Sequence, residues 1–205
     1  MKLFLFLLQV FLISLSGVLA PGPVTAATIA AGTKSRHAGF LISIGHCAVE
    51  LPLMVAAMLG LGFILESGMA NMLIGLVGGV FLVYMGFDML RDVKNYHSDQ
   101  PYPKTAGPIK TGMILSITNP YFILWWATVG LNFAKDAASF GHTVLVLFAL
   151  VHWFCDMVWL EIMSFASFKG MNLLSEKHQK AILAICSSAI MCFGIFFVVK
   201  SFTTP

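Results

Sequence analysis

Charged side chains are scarce in this chain of 205 residues, where Lys, Arg, Asp and Glu together make up 10% of the total. A soluble domain has roughly 25% charged residues, because it needs them to cover its surface. Hydrophobic residues account for 59% of the chain instead, and the mean hydropathy is +0.89. The composition therefore excludes a water-soluble globule, a disordered chain and a nucleic-acid-binding module.

Short motifs that carry chemistry are also missing. The four cysteines form no C-x-x-C pair, so neither a disulfide framework nor a structural zinc site is indicated. There is no G-x-x-x-x-G-K-[ST] loop for a nucleotide, and no G-x-S-x-G or H-E-x-x-H motif for a hydrolase. We therefore predict no enzyme, no catalytic residue, no cofactor and no resident metal. A thiol-redox carrier and an intramembrane enzyme rank below transport for the same reason.

Long apolar runs fill most of the sequence. A helix that spans a membrane needs about 20 mostly apolar residues. Six segments meet this need, at about 3–31, 38–64, 69–90, 111–133, 142–168 and 181–202. The runs lack two-residue alternation, so helices are favoured over a barrel. The sequence predicts an all-α membrane protein with six transmembrane helices.

Basic residues set the expected orientation. Nine of the twelve Lys and Arg residues fall in the connections after the first, third and fifth segments. The positive-inside rule places those connections in the cytoplasm and both termini outside. We predict a multi-pass protein of the cytoplasmic membrane, with one transmembrane domain over 1–205. It comprises repeat one at about 1–92, a cytoplasmic loop at about 93–110 and repeat two at about 111–205.

The two halves share an order of features. The first segment contains the helix breaker Pro21-Gly22-Pro23, and the fourth contains Asn119-Pro120. The second segment carries His46 and Glu50, and the fifth carries His152 and Asp156, with a spacing of four in both cases. That spacing puts each histidine and its carboxylate on one helix face. Broken helices in matching places predict two inverted three-helix repeats, as in secondary transporters.

These residues form the predicted site. A helix that restarts after Pro21-Gly22-Pro23 has free N–H groups that can hold a substrate carboxylate, and Thr25 and Thr28 could add hydroxyls. Asn119 and Pro120 could contribute from the second half, where Asn119 could bond either a freed carbonyl or substrate. The acids Glu50 and Asp156 are costly inside a membrane and usually functional there. They could hold an amine or carry protons, with His46 and His152 as their partners.

Other interpretations of these residues stay open. Two histidines and two carboxylates could form one metal site across the halves, which would make the protein a divalent-cation transporter. Trp125 and Trp126 could be interface anchors or cavity walls. The lipid bilayer is a certain partner, a small solute and protons are the expected ones, and a second copy of the chain could be another.

Five sequence stretches resemble the LysE/RhtB family of amino-acid exporters, the LysE-type translocators. They are Pro21-Gly22-Pro23, the run from Gly39 to Glu50, the run from Gly79 to Gly86 with Leu90-Arg91, the run from Gly112 to Pro120, and Asp156 with Trp159. The resemblance implies export of an amino acid or a similar metabolite, in exchange for protons. Family members usually have Asn or Asp soon after Pro-Gly-Pro, and apolar residues where His46 and His152 stand. These departures bear on the substrate more than on the fold.

Overall fold

The computed structural model describes residues 2–19, 22–56, 58–59, 68–94, 107–171 and 173–203. Its helices, in chain order, are α1 (Lys2–Val18), α2 (Pro23–Gly32), α3 (Ala38–Ala56), α4 (Gly68–Lys94), α5 (Pro108–Ile117), α6 (Pro120–Trp125), α7 (Leu131–Ser139), α8 (His142–Met171) and α9 (Glu176–Thr203). A π-helical turn, Trp126–Gly130, joins α6 to α7. The described residues contain no strand. The predicted all-α class is confirmed.

Three helices of the described part are long and apolar enough to cross a membrane, namely Ala38–Ala56, His142–Met171 and Glu176–Thr203. The stretches Leu3–Leu15 and Pro23–Gly32 form shorter apolar helices. Large apolar side chains also point outward, among them Val77, Val80 and Tyr84 on α4. Such a surface is expected where lipid, rather than water, surrounds the protein.

Both predicted helix breaks lie at changes of helix. The helix α1 ends at Val18, and α2 starts at Pro23 with Gly22 in an extended conformation before it. In the second half, α5 ends at Ile117 and α6 starts at Pro120. Proline is well suited to the first position of a helix, because it has no N–H to leave unpaired. Pro21 and most of the predicted cytoplasmic loop lie outside the described residues.

Close packing of glycines brings several helices together. The helices α4 and α9 run side by side, and a Cβ on Gly79 or on Gly194 would overlap the other residue's carbonyl oxygen. A similar reciprocal approach joins α3 to α5, where Gly45 faces the carbonyl of Ile109 and Gly112 faces that of Ile42. Small residues allow such approach in membranes, where apolar burial gives little drive for association.

Two apolar clusters make up the core. One joins α2, α4 and α9 and includes Leu82, Ile190 and Phe197. The other joins α1, α3 and α8 to the α6–α7 region and includes Trp126 and Phe148. The helices α3 and α8 pack against each other, and α2 lies against both α8 and α9. This arrangement leaves the candidate site between the two clusters.

Candidate functional site

The two predicted His–carboxylate pairs meet in one buried cluster. His46 and Glu50 come from α3, and His152 and Asp156 come from α8. Their exposed fractions are 7%, 2%, 4% and 7%, respectively. Within each pair the spacing of four keeps the side chains together: His46 Nε2 is 3.5 Å from Glu50 Oε1, and His152 Nε2 is 3.7 Å from Asp156 Oδ2.

Contacts between the pairs are as short as those within them. His152 Nε2 lies 3.0 Å from Glu50 Oε1, and His46 Nε2 lies 3.9 Å from Asp156 Oδ2. Trp126 Nε1 also donates to Glu50 Oε1, over 3.2 Å. The indole of Trp126 lies against Gly130, where a Cβ would overlap its ring. The π-helical turn thus gives the indole room near the cluster.

The Nδ1 atom of each histidine, on the side of the ring away from the carboxylates, forms a hydrogen bond with a serine hydroxyl. Ser116 Oγ donates to the carbonyl of Gly112 over 2.6 Å, so its single proton is used there. His46 Nδ1, 2.6 Å from Ser116 Oγ, must then be the donor in that bond. His152 Nδ1 lies 2.8 Å from Ser14 Oγ. The serines therefore leave the Nε2 atoms of both rings to face the carboxylates.

Aromatic rings enclose His152 on several sides. Trp125 stacks on it at a centroid distance of 5.0 Å, Phe148 stacks at 6.3 Å, and Trp126 meets it edge-on at 5.3 Å. Phe122 packs edge-on against His46 at 4.7 Å. These rings restrict both imidazoles to the orientations that point into the cluster.

Asp156 is the exception in this cluster. Its Oδ2 atom is fully buried and accepts no hydrogen bond from the residues that the structure describes. A buried carboxylate oxygen without a partner is costly, because it has lost its water. The atom is therefore the part of the cluster best placed to receive a positively charged group.

A cavity of about 190 Å³ lies against the cluster. Its walls include these predicted site residues: Gly22, Pro23, Thr25, His46, Glu50, Asn119, His152 and Asp156. Asn119 Oδ1 accepts from the Tyr121 N–H over 3.1 Å, so this oxygen caps the start of α6. Trp125 and Trp126 also line the cavity, so the interpretation of these residues as cavity walls agrees with the structure.

Thr28, Pro120 and Pro21 are the remaining predicted residues. Thr28 is wholly buried at 0% exposure, and its Oγ1 has no partner in the described part of the chain. Pro120 provides the first residue of α6, and Pro21 falls outside the described residues. The start of α2 does border the cavity through Gly22, Pro23, Val24 and Thr25.

The sequence analysis missed Ser14 and Ser116. Both lie within apolar runs, where a lone serine is common and bonds its own helix, as Ser187 does with the carbonyl of Leu183. The sequence shows that each serine lies in an apolar helix, but it does not show which helix faces meet. The contacts of Ser14 and Ser116 with the histidines could therefore not be predicted.

The cluster has the donor set of a metal site. Single ligand atoms of His46, Glu50 and Asp156 lie within 4.8 Å of one another. Nitrogen and carboxylate ligands together suit Zn²⁺ and its neighbours better than Mg²⁺ or Ca²⁺. The fit concerns binding only and gives no evidence that a metal crosses the membrane.

Comparison with known proteins bears on identity. The model of the LysE type translocator family matches residues 15–201. The chain is 27% identical over 182 residues to YcgF of Bacillus subtilis (strain 168), whose name proposes amino acid efflux; the match covers 86% of this chain and 87% of that protein. It is 26% identical over 159 residues to the threonine efflux protein of Escherichia coli (strain K12), with 72% and 77% covered.

A leucine efflux protein of Enterobacter sp. (strain 638) is 24% identical over 187 residues, which cover 88% of this chain and 86% of that protein. No solved structure matches the chain at a significant level. The family model spans most of the sequence and includes every described residue that lines the cavity. The chain is a membrane protein that belongs to the LysE type translocator family.

Proposed function

We propose that this chain is a secondary transporter that exports an amino acid or a similar small metabolite across the cytoplasmic membrane. The observation that carries the proposal is the cavity, because it borders both the start of α2 and a buried pair of carboxylates. These two sides suit the opposite charges of a zwitterion. The names of the threonine and leucine efflux relatives support the same class of substrate.

The substrate carboxylate would bind at the start of α2. The first N–H groups of a helix have no partner inside it, and here no side chain of the described residues caps them. Val24 and Thr25 supply those groups at the cavity wall, and the helix dipole adds partial positive charge. Asn119 borders the same cavity from the start of α6.

The substrate amine would bind at the carboxylates. Asp156 Oδ2 has no hydrogen-bond donor among the described residues, and an ammonium group would supply one. Glu50 already accepts from Trp126 and lies 3.0 Å from His152 Nε2, so it would act through charge. No Lys or Arg is among the described residues that line the cavity, so none of them competes with the amine as a fixed cation.

Proton exchange follows from the charge of the cluster. With both histidines neutral, Glu50 and Asp156 would leave two negative charges in a buried place, which is costly. Protons or a substrate ammonium can neutralise them, and exchanging one for the other couples the two flows. One proton that moves inward across 100 mV supplies about 2.3 kcal/mol for this purpose.

The proposal includes six spans in two inverted repeats. Repeat one comprises α1 to α4, and repeat two comprises α5 to α9. The packing supports this equivalence, because the contact of α3 with α5 has its counterpart in the contact of α8 with α1 and α2. The bonds from His46 to Ser116 and from His152 to Ser14 are counterparts too. In such a design the repeats rock around a central site.

The orientation is proposed from the basic residues alone, with both termini outside. Cation transport is not adopted as the function, since the relatives are named for amino acid, threonine and leucine efflux.

Transport in reconstituted vesicles tests the proposal. Proteoliposomes that hold one unlabelled amino acid each should take up the labelled form by counterflow for at least one member of a panel. A proton gradient should increase net transport by the wild type. The Glu50→Gln variant should show almost no transport. Failure of every amino acid in the panel with folded wild-type protein would contradict the proposal.

A further inference from the structure

The buried cluster brings together four side chains that can bind a metal ion. Four side chains from two helices converge, and the Nε2 atoms of His46 and His152 both face carboxylate oxygens. Asp156 Oδ2 is buried and has no hydrogen-bond partner among the described residues, while Asp156 as a whole is 7% exposed. An oxygen in this state needs a positive charge close to it.

We propose that the cluster binds a divalent transition-metal cation, with Zn²⁺ as its representative. The ligands are His46 Nε2, Glu50 Oε1 and Asp156 Oδ2, which lie 3.5 Å (His46 to Glu50) and 3.9 Å (His46 to Asp156) apart. Tetrahedral zinc with bonds of about 2.0–2.1 Å has ligand atoms about 3.3 Å apart. Inward shifts of less than about 1 Å would therefore form the site. His152 Nε2, 3.0 Å from Glu50 Oε1, lies beside it.

The bond to Ser116 prepares His46 for this role. The serine proton is used by the carbonyl of Gly112, so the imidazole donates from Nδ1. A neutral ring then has its lone pair on Nε2, on the side of the carboxylates. Histidines that bind metals are usually fixed in this way by a partner of the second nitrogen. The bond from Trp126 fixes Glu50 Oε1 from another direction.

The donor atoms also determine which cation binds. One or two imidazole nitrogens with two carboxylates favour Zn²⁺, Cu²⁺ or Ni²⁺ over Mg²⁺ and Ca²⁺, which prefer oxygen alone. One divalent ion would neutralise the charges of Glu50 and Asp156 without any proton. Its consequence for export rests on the proposed function: an ion at Asp156 would occupy the place of the substrate amine and would inhibit transport.

Calorimetry on the purified full-length protein in detergent tests the binding. Titration with ZnCl₂ should give one ion per chain, and MgCl₂ should give no heat of binding. His46→Gln and Asp156→Asn should each abolish the Zn²⁺ signal. Ser116→Ala keeps every ligand and should weaken binding by about 10- to 100-fold, because it removes the partner that orients the imidazole of His46.

A surface pair of the same kind is the matched control. His37 Nδ1 bonds Glu161 Oε1, and the His37 side chain is 57% exposed. His37→Gln should leave Zn²⁺ binding unchanged. Thermal melting without metal should show that each variant is folded. Binding that survives His46→Gln and Asp156→Asn, or that His37→Gln abolishes, would overturn the proposal, and so would the absence of binding to the wild type.

Transport separates this inference from the proposed function. Zn²⁺ should inhibit amino-acid counterflow by the wild type at concentrations near its dissociation constant. Zn²⁺ binding without counterflow of any amino acid would support the site and contradict the export proposal. Counterflow that saturating Zn²⁺ does not reduce would overturn the inhibitory role.

Discussion

Glu50 and Asp156 hold corresponding places in the two halves, but their surroundings differ. Each follows a histidine by four residues on a long helix, and each is buried. Glu50 Oε1 accepts from Trp126 and lies 3.0 Å from His152 of the other pair. Asp156 Oδ2 has no hydrogen-bond partner in the described part of the chain, and its nearest imidazole nitrogen is 3.7 Å away.

The difference indicates a division of work within one repeated motif. Glu50 accepts from Trp126 and lies against His152, so it keeps both side chains in place. Asp156 Oδ2 has no hydrogen-bond partner among the described residues, which suits an atom that binds a substrate group reversibly. The longer side chain of Glu contributes to this difference, because it extends beyond its own pair and reaches the histidine of α8. In the proposed repeat, the shared motif is a histidine and a carboxylate four residues apart, and the length of one side chain differentiates the two copies.

The largest effect on export is expected from Glu50→Gln. The change removes the charge next to His152 and leaves an amide with one acceptor oxygen in place of two, so substrate and proton sites are both disturbed. We expect counterflow to fall by about 100-fold or more, since charge-assisted hydrogen bonds contribute about 1.5–3 kcal/mol each. The melting temperature in detergent should fall as well. Counterflow within a factor of two of the wild type would mean that Glu50 has no part in transport.

Asp156→Asn should reduce export less and change stability in the opposite direction. The loss of one amine contact should cost about tenfold in counterflow. The melting temperature should stay level or rise, because the change removes a buried charge that no described donor satisfies. Melting curves for Asp156→Asn and Glu50→Gln should therefore diverge. Equal destabilisation by the two changes would contradict the division of work.

Ser14→Ala and Ser116→Ala test the equivalence of the two histidines. Each change removes one hydrogen bond to an Nδ1 atom and leaves the pair otherwise intact. A single net hydrogen bond of about 1 kcal/mol corresponds to a loss of about fivefold, which we expect from both variants. Initial rates of counterflow measure the loss. An effect from only one serine would show that the two histidines are not equivalent.

Much of the site could be predicted from spacing. The interval of four in each pair and the two helix breaks need only helix geometry, and both pairs, Gly22-Pro23 and Asn119 border the cavity. The bonds of Ser14 and Ser116 could not be predicted, since they depend on which faces of helices from different halves meet. The π-helical turn that admits Trp126 has no proline to signal it. Thr28 is buried on α2, and the part of α2 that lines the cavity is the preceding turn, a difference that depends on how α2 packs.

The smallest effect is expected from Glu161→Gln, on the same helix as Asp156. Glu161 bonds His37 and accepts from the Phe40 N–H at the start of α3, away from the cavity walls. Exposed ion pairs contribute about 0–1 kcal/mol, so counterflow should change by less than about twofold. The variant is thus the carboxylate control for Asp156→Asn. A tenfold loss would place part of the transport machinery at the start of α3.

Occupancy of the cavity by substrate is the central claim, and protection of a single cysteine tests it most directly. In a chain whose four native cysteines are replaced by serine, Thr25→Cys places a thiol at the cavity wall, and Thr143→Cys places one on the exposed start of α8. An amino acid that shows counterflow should slow maleimide labelling at residue 25 and leave labelling at residue 143 unchanged. Equal labelling at residue 25 with and without saturating substrate would contradict the account.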